Sequence, residues 1–181
     1  MALPKMLKPQ DIVVSLKLLQ YGRDRDAPTY AELSNLLKMS QSEAHGAVQR
    51  ALRVGLLSKP ADIQRSMPIV VRQSLGDFLI SGLKYVWPTK IGGLGRGMPT
   101  GTSVSIIADE MDVPSPEIPT VWPFASGSQR GETVKPLYQK CPDICAIDPI
   151  LHEWLALIDV LRLKTGREAK LAEHVIRNRL S

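Results

Sequence analysis

The sequence predicts a mainly α chain with a small β element, and three observations carry that prediction. Two S/T-x-x-E capping boxes, Thr29/Glu32 and Ser40/Glu43, stand a short turn apart and mark helix, turn, helix. Apolar residues recur at helical spacing at both ends of the chain. Pro (14) and Gly (13) fall mostly after position 86, so the stretch from about 88 to 148 reads as loop-rich. Two regions follow: residues 1–72, with three helices and a short hairpin, and residues 73–181, a loop-rich α+β region ending in a helical hairpin.

The first helix is "KPQDIVVSLKLLQYG", with Pro9 in its first turn, Ile12, Val13, Leu16 and Leu19 as its stripe, and Gly22 as its stop. The second, "TYAELSNLLKM", sets Leu33, Leu36 and Leu37 on one face. The third, "SQSEAHGAVQRALRVG", closes on Gly55. At 100° per residue from Gln41, the residues Gln41, His45, Gln49, Ser42, Arg53 and Gly46 fall at about 0 to 140°. Val54, Ala47, Ala51, Ala44 and Val48 fall at about 220 to 340°, with Glu43 and Arg50 at the margin near 180–200°. One face is small and apolar; the other has no acidic residue and no lysine, and only Leu52, near 20°, breaks the division. A solvated face usually interleaves Glu and Lys. Gln pairs with adenine, Arg with guanine, and Ser and His serve base edges or backbone, so this face suits a DNA groove.

After it, "LLSKPADIQRSMPIVV" offers strand starts at Leu56-Leu57 and Ile69-Val70-Val71, with Lys59-Pro60 and Arg65 in a polar excursion between them. At this point the stretch from Pro9 to about Val71 resembles the winged helix-turn-helix domains of bacterial transcription regulators of the MarR and IclR types. "TYAELSNLLKMSQSEAHGAVQRALRVGLL" carries the likeness. The resemblance covers about a third of the chain. It implies a DNA-binding domain whose third helix reads the major groove, with Gln41, Ser42, His45, Gln49 and Arg53 as its contacts and Lys59 and Arg65 on phosphates.

Charge agrees with a polyanionic partner. Residues 1–90 carry 13 Lys/Arg against 7 Asp/Glu (+6), and residues 91–181 carry 10 against 11 (−1).

The second region opens on "PIVVRQSLGDFLISGLKYVWP", a helical stripe of Val71, Leu75, Phe78, Leu79, Gly82, Leu83 and Val86, long enough to pair with a second copy. Two "VWP" triplets, ending at Pro88 and Pro123, read as Trp-Pro turns that anchor loops. "KIGGLGRGMPTGTS" lacks the lysine of a P-loop, and Gly93, Gly95 and Gly97 are spaced G-x-G-x-G, not G-x-G-x-x-G. It is read as a backbone passage needing positive φ or close approach, with Arg96 displayed as the candidate anion or ligand contact. Asp109, Glu110 and Asp112 read as a solvated turn. Cys141 and Cys145 lack the further ligands of a closed zinc site and read as ordinary thiols. Asp148-Pro149 starts "PILHEWLALIDVLRL", with Ile150, Trp154, Leu157, Ile158 and Leu161 on one side. "REAKLAEHVIRNRL" follows, with Leu171, Val175, Ile176 and Leu180.

"FLISGLKYVWP", "GGLGRGMPT" and "WLALIDVLRLKTGREAKLAE" resemble segments of uncharacterised bacterial winged-helix proteins, some of them antitoxin-like regulators paired with nucleotidyltransferase-type toxins; this likeness implies a protein partner.

No nucleophile constellation, metal-ligand motif or phosphate-binding fingerprint is present, so neither an enzyme nor a cofactor is expected. No apolar run reaches the roughly 18–20 residues of a membrane span, and "MALPKMLKPQ" lacks the apolar core of a secretory signal; a cytoplasmic location is expected. The reading is a sequence-specific regulator, dimeric, acting on double-stranded DNA. Two others stand beside it: an antitoxin or scaffold acting through protein contact, and a ligand sensor or small enzyme built on Arg96 and the glycine-rich loop.

Overall fold

The computed structural model describes residues 6–22, 27–60 and 67–181. It is a mixed α/β chain of two compact units, Met1–Leu75 and Gly76–Ser181.

In the first unit α1 (Pro9–Leu19), α2 (Tyr30–Leu36) and α3 (Gln41–Arg53) precede a two-stranded antiparallel hairpin, β1 (Leu57–Ser58) and β2 (Ile69–Val70). Each start has a local cause. Pro9 presets the first turn of α1, and Asp11 reaches back to the Lys8 amide at 2.8 Å. At α2 the box is complete: the Glu32 amide donates to Thr29 Oγ1 and the Thr29 amide to Glu32 Oε2. At α3 Ser40 caps the Glu43 amide at 3.1 Å, but the Glu43 side chain turns away and accepts from Gln10 Nε2 at 3.1 Å. Gly22 (φ 57°) and Gly55 (φ 78°) close α1 and α3 in left-handed geometry.

Ile12, Val13, Leu16, Leu33, Leu37, Ala44, Ala47, Val48 and Ala51 form the core of this unit, each at 0% exposure. Alanines on the buried face of α3 admit close approach to α1. Val54, expected on that face, is half exposed. The helix ends at Arg53, and Val54 (φ −93°, ψ 3°) no longer follows the 100° step.

Where the chain passes from the first unit into the second, the expected single stripe over 71–86 is broken. The chain runs α4 (Arg72–Asp77), a π-helical turn (Phe78–Gly82) and α5 (Leu83–Val86). Leu75, Leu79 and Leu83 stay buried. The wider turn shifts the phase, and Val86 comes off the buried side with half its surface exposed.

The glycine-rich stretch is a strand rather than a loop. β3 (Ile91–Pro99) pairs antiparallel with β4 (Thr120–Pro123) and β5 (Gln129–Val134), which pair parallel to each other and close a three-stranded barrel. So few strands bring main chains too near for side chains. A Cβ on Gly97 would lie 2.0 Å from the Trp122 carbonyl oxygen, and one on Gly131 2.0 Å from that of Pro119. Close approach explains these glycines, and neither has positive φ. Trp122 lies inside this sheet at 1% exposure, so the second "VWP" is part of strand β4 and not a turn.

A short α6 (Ser105–Glu110) and α7 (Cys141–Cys145) lead to the closing hairpin of α8 (Pro149–Leu163) and α9 (Gly166–Leu180). Asp148 caps α8 by accepting from the Leu151 amide at 3.0 Å. Trp154, Leu157, Ile158 and Leu161 are buried as expected, whereas Ile150, in the first turn, is half exposed. Asp159 holds helix and barrel together. Its Oδ2 accepts from Thr100 Oγ1 (2.7 Å) and Trp122 Nε1 (2.6 Å), and its Oδ1 from Arg162 Nη1 (2.6 Å). Burial pushes the Asp159 carboxyl up, against the opposing pull of Arg162, Thr100 and Trp122.

Candidate nucleic-acid interface

The candidate face on α3 is formed by the residues that its own packing leaves over. Ala44, Ala47, Val48 and Ala51 go inward. Gln41, Ser42, His45, Gln49 and Arg53 are all exposed. Gln41, His45, Gln49 and Arg53 succeed each other every four residues, so they form one ridge about 18 Å long at 1.5 Å per residue. Ser42 flanks it.

Charge on this helix is sorted by its partners. Glu43, the one acidic residue of α3, is held by Gln10. Arg50 is only 8% exposed; its Nε donates to Asp11 Oδ2 at 2.8 Å and its Nη2 to Asp11 Oδ1 at 2.6 Å. Arg53 therefore supplies the accessible positive charge of the helix, in its last turn, where it complements the helix dipole.

Tyr30 was not legible as part of this face. At the first position of α2 its ring lies 5.1 Å from that of His45, tilted by 55°. Burial raises the Tyr30 hydroxyl pKa, while a hydrogen bond with the Gln49 side chain opposes that shift. Tyr30 thereby neighbours the two central residues of the ridge. No periodicity signal in a seven-residue helix points to such a contact.

Lys59 is exposed directly after β1. Arg65 lies outside the described residues. Arg96 belongs to the second unit: it is exposed on β3, its Nη1 donating weakly to the Gly127 carbonyl at 3.5 Å.

No family model, curated protein or solved structure matches this chain.

Among the described residues no three His, Cys, Asp or Glu side chains stand together as a metal group. Glu110 of the acidic turn is paired with Arg179, which also bridges to Glu153 at 3.1 Å. Cys141 and Cys145 are buried free thiols. Burial pushes Cys141 up to about 12 and Cys145 further still, which keeps both as thiols near neutral pH. No described helix is long and apolar enough to cross a membrane.

Proposed function

We propose that this chain is a sequence-specific, double-stranded-DNA-binding transcriptional regulator that acts as a dimer, with a winged helix-turn-helix first unit and α3 as its reading helix. One observation carries the reading: α3 exposes Gln41, Ser42, His45, Gln49 and Arg53 together, while its carboxylate and its other arginine are engaged with α1. A major groove about 12 Å wide admits one α-helix, and its base edges match amide, hydroxyl, imidazole and guanidinium groups. Lys59, after β1, is the phosphate contact of the hairpin; Arg65 completes it. Dimerisation supplies the second reading head that a two-fold operator requires.

The test is fluorescence anisotropy on duplex DNA across a salt series. Arg53→Ala should weaken binding and, where Arg53 reads guanine, remove about 1–3 kcal/mol of discrimination at one base pair. Lys59→Ala should weaken all sequences alike and lower the salt slope by about one. Unchanged affinity and preference in Arg53→Ala count against this use of α3. Sedimentation at micromolar concentration tests the dimer.

A further inference from the structure

The β3–β5 ribbon of the second unit places two arginines directly opposite each other. Arg96 on β3 is in register with Arg130 on β5, and both are exposed. Directly opposed residues share a face, with Cβ atoms about 4.5–5.5 Å apart, and like charges there are destabilising. Neither guanidinium has a carboxylate within ion-pair distance among the described residues; the next pair along the same face is Leu94 and Glu132. Lys90 and Lys135 flank the ribbon, so it carries four cations against Glu132 alone. Residues 76–181 hold 12 Lys/Arg and 12 Asp/Glu, which makes this a local concentration in a neutral unit. Further along β3, past Leu94, Gly92 and Gly93 are exposed and carry no side chain.

We propose that Arg96 and Arg130 form a binding site for a phosphate group. Two guanidinium groups offer planar, paired N–H donors that match phosphate oxygens, and a bound oxyanion neutralises the repulsion between them. The phosphate belongs either to a small molecule or to the DNA backbone, and the experiment separates these sources. The site stands on the second unit alone, so it does not depend on α3 reading bases.

Thermal unfolding of the full chain is compared in chloride and in inorganic phosphate or pyrophosphate at equal ionic strength, for wild type, Arg96→Gln and Arg130→Gln. In chloride each variant should melt at or above the wild-type temperature, because one of two repelling charges is gone. Phosphate should raise the wild-type melting temperature in a saturable way and leave both variants unmoved. In parallel, duplex DNA affinity is followed against salt. A salt slope lowered by about one in each variant assigns the phosphate to the DNA backbone. An unchanged slope, or no DNA binding at all, with the phosphate response intact assigns it to a small molecule. The proposal is overturned if wild type melts alike in both anions and the slope is unchanged, or if the variants keep the full phosphate response.

Discussion

Arg50 grips both carboxylate oxygens of Asp11, at 2.8 and 2.6 Å, across 39 residues of sequence. The pair ties α3 to α1, with Asp11 fully buried and Arg50 nearly so. It also fixes the rotation of α3, and hence which side chains remain outside. A buried pair is weak evidence of net stabilisation, yet removing one partner strands the other charge. Asp11→Ala should therefore cost about 3–5 kcal/mol in urea unfolding of the first unit, and the double change Asp11→Leu with Arg50→Met should recover most of it.

The α2 box makes a prediction in pH. Hydrogen bonds from the Thr29 amide and hydroxyl lower the Glu32 pKa below its ordinary 4.5. A carboxyl depressed in the folded state adds stability above its unfolded pKa and loses it as pH falls through the folded value. The stability gap between wild type and Glu32→Ala, measured by denaturant unfolding from pH 7 down to pH 3, should be full above about pH 4.5 and shrink below it.

Within the glycine-rich strand, position decides the outcome. Gly97→Ala would set a methyl 2.0 Å from the Trp122 carbonyl oxygen, and no side-chain rotation relieves a clash with main chain. It should cost at least about 1–3 kcal/mol and disrupt the barrel. Gly93→Ala meets nothing within 4 Å and should stay within about 0.5 kcal/mol of wild type. Melting curves of the two proteins check the contrast.

Both thiols should be silent in the native protein. Cys141 is fully buried and pushed up to about 12, and Cys145 is buried beside it on α7. Reaction with a thiol-specific chromogenic reagent at pH 8 should be negligible until denaturant is added, and then count two cysteines.

The sequence made the first unit legible because its signals are local. Capping boxes, a first-turn proline and 3.6-residue periodicity each act within a few residues, and the exposed ridge of α3 follows from that period. Tyr30 escaped because its contacts with His45 and Gln49 join two helices. The barrel escaped for a similar reason. G-x-G-x-G on β3 acquires meaning only when Trp122, 25 positions on, lies against Gly97, and no pattern within β3 encodes its partner strands. Arg96 drew notice by itself, but Arg130, 34 residues later, becomes its neighbour only through strand register. The π-helical turn at Phe78–Gly82 likewise moved Val86 off a stripe that a uniform helix would have kept.

The central claim concerns what the α3 ridge reads. The most direct measurement is selection of duplexes from a random pool by the full chain, followed by anisotropy of the enriched site against scrambled DNA at several salt concentrations. A short motif that repeats with two-fold symmetry, binds well above scrambled DNA, and loses its preference in Gln49→Ala or Arg53→Ala is the predicted result. No enriched motif, with equal and salt-sensitive binding to every duplex, would contradict it and leave only a basic surface.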